Sequence, residues 1–335
     1  MTNVLFVILG GLVLKKALIV GLNKYPGREL NWCDNDAIAM ASLVETNGDG
    51  SPNYDTRLIL EQCTRSRLQT AIRELFAADA EVALLYFSGH GAAQDGGYLV
   101  TTDYSQSELG VRMQDILKWA NESRCRNRVI ILDSCFSGQM GQSLLVNDCS
   151  VLGEGVTIMA ASRAWEPSME NEAIEHGVFT NLLLQGLRGG AADISGNITP
   201  ASLYSFVDQS LGAWDQRPVF KTNITQFLPI RVVSPRVPKE LLRRICKYFV
   251  NPTDEYRLDP SYEPTNDPSI AHQVLKPYAD ERHVAILEEL QLLESVGLVE
   301  PVGAEHMYFA AMEGKACKLT ALGAHYWRLS KQKRI

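Results

Sequence analysis

The sequence predicts an α/β domain with a mainly parallel sheet and helices on both faces, followed by a small α+β domain. Three observations carry this prediction. Short apolar runs typical of buried strands recur along residues 15–233, segments with a helical period separate them, and the pattern changes after a proline-rich stretch. Strands that alternate with helices form parallel sheets, because each helical crossover returns the chain to the same edge.

The predicted strands are short apolar runs, as expected for strands that are covered on both faces. They are residues 17–22 (ALIVGL), 57–60, 82–87 (VALLYF), 129–132 (VIIL) and 156–160 (VTIMA). The predicted helices have apolar residues at helical spacing or a capping residue at their start. They are residues 34–46, 66–77, 113–121, 179–187 and 200–211.

The composition changes after the first domain. Residues 234–277 hold seven prolines and one predicted helix, at 239–249, which indicates a linker. Residues 278–335 form a further predicted module, whose order of elements resembles that of winged helices. Its predicted elements are a helix at 281–296, a strand in the segment GLVEP (residues 297–301), a strand around 306–312 and a helix at 320–331.

The first residues, 1–14, are an apolar extension. They are shorter than the ~20 residues that cross a bilayer, and they lack the basic start and cleavage site of a signal peptide. Two interpretations stay open: an extra element packed on the core, or an extension upstream of a true start near Val13. No membrane association is expected. Seven cysteines without a CxxC pair favour a reducing, cytoplasmic location.

The charge distribution argues against nucleic acid as a partner. The chain has a formal net charge of -7, and residues 1–234 contain 18 Lys and Arg residues against 25 Asp and Glu residues. A protein that binds nucleic acid through its phosphates usually carries a basic surface. An acidic first domain would instead suit a cationic substrate.

Two predicted strands end in residues with chemical reactivity. The first reads ALLYFSGHG and ends at His90 and Gly91, and the second reads VIILDSCFSG and reaches Cys135. If these strands are neighbours in a parallel sheet, both side chains project from the same edge. A free thiol is only a few per cent thiolate at neutral pH, so an adjacent His90 would take its proton and later protonate a leaving amine.

The same chemistry needs donors for an oxyanion. The backbone N–H groups of Gly91 and Cys135 are the candidates, because glycine lets the chain turn its amide towards a substrate. Taken singly, a cysteine is usually a small buried hydrophobe, and a histidine after a strand is usually a capping group. Their occurrence at two strand ends, each beside glycine, favours a Cys/His pair that acts by nucleophilic catalysis.

The motifs SGHG and DSCFSG resemble those of caspase-like cysteine peptidases, in particular the metacaspase and bacterial orthocaspase branch. Three later segments, ASRAWEPSME, HGVFTNLLLQGL and DQRPVF, are similar to the small-subunit region of that family. The resemblance covers about residues 15–230 and implies a Cys/His dyad on a six-stranded sheet. True caspases carry a QACRG-type sequence at the cysteine, where this chain has DSCFSG, which bears on specificity.

The residues near the cysteine predict cleavage after Arg or Lys. Asp133 stands two residues before Cys135, close to where the substrate side chain preceding the scissile bond would lie, and a carboxylate there favours a cation. Cys33 and Asp36 have the spacing of the metacaspase segment that contributes to this pocket, and Ser88 matches a third pocket position. In the alternative interpretation, Asp34 or Asp36 only caps a helix, and Asp133 only stabilises a turn.

The same preference limits where the enzyme would cut itself. Residues 139–155 contain no Lys or Arg, so an enzyme specific for basic residues would not process itself there. Self-cleavage is expected instead near the predicted linker, at Arg231, Arg236 or Lys239.

No metal or other cofactor is predicted, although many metacaspases need calcium. Asp95 and Asp103 follow the histidine motif, but the next aspartate after CFSG is Asp148. The six or more oxygen ligands of a calcium site are therefore not evident, and calcium is left open.

The terminal module is expected to bind a regulatory protein partner. Many winged helices bind DNA, but the predicted helix at 281–296 carries Glu288, Glu289 and Glu294, which DNA phosphates would repel. By the resemblance, caspase-like enzymes with such appendages act as effectors of regulated cell death or defence. Two other functions stay open: a latent or non-enzymatic adaptor with a caspase fold, and a different Cys/His amide hydrolase.

Overall fold

A computed structural model of the chain describes residues 14–134, 152–161, 170–171, 175–211, 217–226, 228–270 and 274–335. The chain divides into two units, Met1–Ser234 and Pro235–Ile335. The division falls one residue beyond the predicted end of the first domain at residue 233. Of the N-terminal extension predicted at residues 1–14, only Leu14 is described, so that prediction lies outside the described residues.

The elements of the first unit alternate as the sequence predicts. Its described strands are β1 (Lys15–Gly21), β2 (Asp55–Leu60), β3 (Val82–Ser88), β4 (Gly91–Ala92), β5 (Tyr98–Val100), β6 (Gly110–Arg112), β7 (Asn127–Asp133), β8 (Val156–Ala160), β9 (Glu170–Asn171), β10 (His176–Gly177), β11 (Asn197–Ile198), β12 (Val219–Asn223) and β13 (Arg231–Val232). Its described α-helices are α1 (Cys33–Glu45), α2 (Arg65–Ala77), α3 (Met113–Glu122), α4 (Val178–Gln185) and α5 (Pro200–Ser210).

A six-stranded sheet forms the centre of the first unit, in the order β12-β8-β7-β3-β1-β2. β1 pairs in parallel with β2 and β3, and the parallel pairing continues from β3 to β7 and from β7 to β8. The mainly parallel six-stranded sheet is therefore confirmed. Only β12, at one edge, runs antiparallel to its neighbour β8.

Helices cover both faces of this sheet, and alternate residues of each strand point to opposite faces. On one face α2 and α3 pack on Val20, Leu85 and Leu132. On the other face α1, α4 and α5 pack on residues such as Ile19 and Ile131. β3 and β7 are buried along their whole length, which explains why both appear in the sequence as continuous apolar runs.

The second unit combines helices with a three-stranded antiparallel sheet of order β14-β16-β15. Its described elements are α6 (Lys239–Tyr248), β14 (Glu255–Arg257), α7 (Glu281–Ser295), β15 (Val299–Val302), α8 (Met307–Met312), β16 (Ala316–Leu319) and α9 (Ala321–Lys331). The predicted helices at 281–296 and 320–331 correspond to α7 and α9. The likeness to winged helices stays a prediction.

One predicted strand in this unit is wrong. Residues 306–312 form the helix α8 and not a strand. The aromatic residues of this segment favour strands by composition. However, its buried residues are Met307, Ala310 and Ala311, which have the three- and four-residue spacing of one helical face. The strand in this region is β16, a few residues later, which the sequence analysis missed.

The stretch predicted as a linker, residues 234–277, belongs largely to the second unit. α6 packs against α9 through its buried residues Leu241, Leu242 and Ile245, and the Trp327 indole N–H donates to the Phe249 carbonyl at 2.7 Å. β14 pairs with β16. The prolines of this stretch therefore mark turns within a folded unit rather than a flexible connection.

Candidate active site

The candidate site lies where β1, β3 and β7 end. These strands are neighbours, and their register aligns Gly21 with Ser88 and Ser88 with Asp133. The chain runs outwards from β1 to β2 and then returns to β3 on the other side of β1. Ligand sites in open α/β sheets lie at such a switch point, beyond the carboxyl ends of the strands.

His90 follows β3 and is held from two sides. Its Nε2 lies 2.7 Å from the carbonyl oxygen of Arg28, in the segment after β1. Because a carbonyl oxygen can only accept, this bond places the ring proton on Nε2 and leaves Nδ1 as the basic nitrogen. The ring of Tyr25 meets the imidazole edge-on, with centroids 4.6 Å apart.

Tyr25 also holds the backbone at His90. It is fully buried, its oxygen accepts the backbone N–H of His90 at 3.2 Å, and its hydroxyl donates to the carbonyl of Val100 at 3.2 Å. A Cβ on Gly89 would lie 2.5 Å from the Tyr25 oxygen, so this close approach requires glycine. Burial raises the pKa of Tyr25, and the phenol remains a neutral donor.

Two buried carboxylates lie at the same edge of the sheet. Asp36 on α1 is 2% exposed and Asp133 at the end of β7 is 6% exposed. Gly177 lies between them, since a Cβ at this glycine would be 2.5 Å from Asp133 Oδ2 and 3.3 Å from Asp36 Oδ2. The carboxylates of Asp36 and Asp133 thus lie on either side of the same glycine.

Asp36 accepts hydrogen bonds from three residues, which lie on two strands, β3 and β10. The Ser88 hydroxyl donates to its Oδ2 at 3.0 Å, His176 Nδ1 lies 2.8 Å from its Oδ1, and the Gly177 N–H donates at 3.3 Å. The carboxylate of Asp36 therefore joins other elements and does not cap α1. The neighbouring Asp34 accepts the N–H of Glu61 instead.

Asp133 accepts a hydrogen bond from a buried hydroxyl. Thr180 Oγ1 donates to Asp133 Oδ2 at 2.6 Å, and the Tyr86 hydroxyl lies 2.6 Å from Thr180 Oγ1. Burial, together with the charges of Asp36 and Asp133, raises the pKa of Tyr86 well above its ordinary value. Tyr86 therefore stays protonated and donates to Thr180, whose own proton points to Asp133.

Cys33 begins α1 one turn before Asp36 and is 5% exposed. Its backbone N–H donates to the side chain of Asn23 at 3.0 Å, which fixes the start of the helix after β1. A Cβ on Gly21 would lie 2.2 Å from the Cys33 carbonyl oxygen, so the helix approaches β1 closely only because residue 21 is glycine. The structure thus places Cys33 on the same helix as Asp36, one turn earlier, and its role in a pocket stays a prediction.

Of the seven site residues predicted from sequence, six are described. Asp36 and Ser88 are in direct contact, Asp133 lies on the strand next to Ser88, and His90 follows two residues after Ser88. Gly91 begins β4 and pairs with Leu99. Its predicted role as an oxyanion donor stays a prediction. Cys135 lies outside the described residues, and so do most of residues 139–155.

The sequence analysis missed Tyr25, Tyr86, His176 and Thr180. Tyr25, His176 and Thr180 each contact a predicted site residue, and Tyr86 contacts Thr180. Nothing in the local sequence around these four residues reveals the contacts. Burial lowers the pKa of His176, the charge of Arg188 lowers it further, and Glu175 opposes both effects. A neutral His176 with its proton on Nδ1 donates that proton to Asp36.

In the part of the chain that the structure describes, no group of His, Cys, Asp and Glu residues could hold a metal ion. Asp103, one of the two aspartates that follow the histidine motif, accepts hydrogen bonds from the backbone N–H of Arg65 at 2.9 Å and from the hydroxyl of Thr101 at 2.7 Å. Among the helices described, none is long and apolar enough to cross a membrane.

The sheet and the polar cluster at its edge define an α/β protein with a candidate site at the carboxyl ends of its central strands. A family model described as the caspase domain matches residues 14–228 of the chain, and the chain therefore belongs to the caspase-domain family. Membership of this family supports cysteine peptidase activity.

Among solved structures, the chain is similar to caspase-1 from Spodoptera frugiperda. The two are 13% identical, with a TM-score of 0.47, over 66% of this chain and 91% of that chain. A comparison with curated proteins found no match.

Proposed function

We propose that the chain is a cysteine endopeptidase that cleaves proteins after Arg or Lys, with Cys135 as nucleophile and His90 as its acid and base. The pair of buried carboxylates, Asp36 and Asp133, carries the proposed specificity. They flank Gly177 at the edge of the sheet that bears His90. A guanidinium or ammonium group would compensate their charge, whereas a substrate aspartate would be repelled.

The proposed reaction begins with proton transfer from the Cys135 thiol to Nδ1 of His90. The thiolate attacks the carbonyl carbon before the scissile bond, and the backbone N–H groups of Gly91 and Cys135 stabilise the oxyanion. His90 then gives its proton to the leaving amine, and the C–N bond breaks to leave a thioester. Water, deprotonated by His90, hydrolyses the thioester and restores the thiol.

The bond from Nε2 of His90 to the Arg28 carbonyl supports this assignment. It keeps the basic nitrogen on the side of the ring away from Arg28. It also stabilises the imidazolium that forms when the thiol is deprotonated, because the Nε2–H donor becomes stronger when the ring is charged. The carbonyl therefore takes the orienting role that a carboxylate has in other nucleophile–histidine pairs.

The test is hydrolysis of fluorogenic peptides that carry Arg, Lys or Asp before the cleaved bond. Wild type, Cys135→Ala and Asp133→Asn are compared, with and without calcium. We expect cleavage after Arg and Lys, loss of that cleavage in Cys135→Ala, and a fall in kcat/KM of about 100-fold in Asp133→Asn, since a buried charge pair is worth ~3 kcal/mol.

The other outcomes identify the other functions. Cleavage after Asp would retain the peptidase and reject the pocket. Hydrolysis of simple amides without a preference for peptides would indicate a different Cys/His hydrolase. No hydrolysis under any of these conditions would indicate a latent enzyme or an adaptor.

We propose that the second unit binds a regulatory protein partner, as in an effector of cell death or defence. Tyr308 and Phe309 on α8 are 39% and 41% exposed, and exposed aromatic residues are typical of protein contact surfaces. Glu289 forms an ion pair with Arg244 at 2.6 Å, so its charge is compensated within the unit. The repulsion of DNA phosphates expected from the sequence therefore depends on Glu288 and Glu294. Tight, salt-dependent binding of the isolated residues 235–335 to DNA in a gel-shift assay would contradict the protein-partner assignment.

A further inference from the structure

A segment of five residues, 176–180, contacts the carboxylates of both Asp36 and Asp133. It comprises β10 and the first residues of α4. His176 and the Gly177 N–H bind Asp36, and Thr180 binds Asp133. None of these hydrogen bonds belongs to the six-stranded sheet or is a side-chain cap of α1 or α4. The segment therefore has a role at the pocket that the catalytic pair does not explain.

The contact at Asp133 has a defined direction. Thr180 is fully buried and donates its only hydroxyl proton to Asp133 Oδ2 at 2.6 Å. Its oxygen receives the hydroxyl proton of Tyr86. A hydrogen bond from a hydroxyl to a buried carboxylate is short and strong, so Thr180 restricts the rotation of the Asp133 carboxylate.

The contact at Asp36 is built in the same way. The imidazole approaches Oδ1, the Ser88 hydroxyl approaches Oδ2, and the Gly177 N–H lies 3.3 Å and 3.4 Å from the two oxygens. These donors come from two strands, β10 and β3. The orientation of Asp36 is therefore restricted as well.

We propose that His176 and Thr180 are positioning residues of the specificity pocket, which orient the carboxylates of Asp36 and Asp133 so that the pocket selects Arg over Lys. This inference rests on the proposed function. The guanidinium group presents a rigid, planar fork of N–H donors that needs acceptors at fixed places. The ammonium group of Lys is a compact charge with rotatable donors, which tolerates a misplaced carboxylate.

The main test compares Thr180→Val with Thr180→Ser. Valine keeps the shape of the side chain and removes the hydroxyl, whereas serine keeps the hydroxyl and removes a methyl group. We expect Thr180→Val to raise KM for the Arg peptide about tenfold, to raise KM for the Lys peptide much less, and to leave kcat within about twofold. Thr180→Ser should restore KM for the Arg peptide even if its melting temperature falls.

Thr157→Val is the matched control. Thr157 lies on β8, is 1% exposed, and its hydroxyl is 2.9 Å from that of Thr222 on β12. The substitution thus removes a buried threonine hydroxyl bond from the same sheet without touching either carboxylate. It should leave the ratio of kcat/KM for Arg and Lys peptides unchanged. An equal change in this ratio in Thr157→Val and Thr180→Val would overturn the proposal.

His176 provides a second pair of variants, because its side chain is 22% exposed and tolerates substitution better than Thr180. His176→Gln keeps an N–H donor for Asp36 and should retain the preference for Arg. His176→Leu removes the donor and should lower that preference severalfold. If both variants keep the wild-type preference, His176 has no positioning role.

A binding measurement separates this inference from the proposed function. Cys135→Ala protein is titrated with benzamidine, a planar amidinium cation, with and without Thr180→Val. If wild type cleaves after Arg while Thr180→Val changes neither KM nor benzamidine affinity, the inference fails and the proposed function stands. If no peptide is cleaved but Thr180→Val weakens benzamidine binding about tenfold, the inference stands without the proposed catalysis. If Cys135→Ala does not bind benzamidine, the inference fails.

Discussion

Tyr25 shows how a single buried side chain positions the proposed catalytic histidine, His90. Its ring restricts the imidazole of His90, and its oxygen binds the backbone at the same residue. The hydroxyl also ties this position to Val100 on β5. The Arg28 carbonyl then sets the tautomer from the other side. Two residues of the segment after β1 thus define where the histidine points and which nitrogen is basic.

We expect Tyr25→Phe to lower kcat severalfold with little change in KM. The ring contact survives, but the His90 N–H and the Val100 carbonyl each lose a buried partner, which also lowers the free energy of unfolding by about 1–3 kcal/mol. Peptide hydrolysis and urea unfolding measure the two effects. Tyr98→Phe is the control, because Tyr98 lies on β5 and its hydroxyl accepts a hydrogen bond from Arg112 at 3.0 Å. A fall in kcat of the same size in the control would contradict the role of Tyr25.

The residues with chemical reactivity were easier to predict than the residues that hold them. His90, Ser88 and Asp133 stand next to continuous apolar strands, so their position at a sheet edge follows from the sequence pattern. His176 reaches Asp36 from 140 residues further along the chain. No local pattern encodes a pairing over that distance, because it depends on how β10 returns to α1.

At the scale of elements, the strands that are fully buried were predicted from the sequence, and the exposed or very short strands were not. β3, β7 and β8 are buried throughout and were predicted within two residues at each end. β12 was missed because it is a half-exposed edge strand of mixed sequence, VFKTN, which has no apolar run. β4, β5 and β6 have two or three residues each, too few to show a period.

β1 begins with a buried lysine that has no acidic partner in the contacts described. Lys15 is 9% exposed, and its ammonium group donates to the Asn53 side chain at 2.9 Å and to the Pro229 carbonyl at 2.8 Å. Both acceptors are neutral. Burial therefore lowers the pKa of Lys15 to about 8, from 10.5 in an exposed lysine.

This pKa predicts a stability that rises with pH. Below about pH 8 the Lys15 side chain is protonated in both the native and the unfolded chain, and above about pH 10.5 it is deprotonated in both. Between these values the unfolded chain binds more protons than the native chain, so the free energy of unfolding increases as pH rises, by roughly 3 kcal/mol in total. Urea unfolding of wild type and Lys15→Met from pH 7 to 10.5 tests this. If the free energy of unfolding changes with pH in the same way in both proteins, the prediction is wrong.

At the scale of the whole molecule, the boundary between the two units bears on self-cleavage. Arg231, one predicted site, is 8% exposed on β13, and its guanidinium donates to the carbonyls of Thr46 and Leu187. That part of the prediction is contradicted, because a buried, bonded arginine cannot enter another active site. Arg236 is exposed, lies outside helices and strands, and is next to the division at Ser234.

We expect the proposed peptidase to cut itself after Arg236. Residues 234–236 are exposed at the boundary of the two units, where proteolysis is common, and the prolines at 235 and 238 favour the extended backbone that peptidases bind. Val237, which follows the bond to be cut, is buried, so cleavage requires this residue to leave its place and should be slow. Mass spectrometry of incubated wild type should find a fragment that begins at Val237. The fragment should be absent from Cys135→Ala and from Arg236→Gln, whereas Lys239→Gln should still form it. Cutting within residues 139–155 instead would contradict both the site and the specificity.

The contacts of Asp36 have a consequence for the newborn chain. A ribosome releases α1 first, β3 with Ser88 next, and His176 only 140 residues after Asp36. When the segment with Cys135 has emerged, the reactive histidine and thiol are both present, but Thr180 has not yet been translated. Asp36 then has only Ser88 of the donors described, and Asp133 lacks Thr180. A half-synthesised chain would therefore contain the proposed catalytic pair before it contains all the residues proposed to orient the specificity pocket.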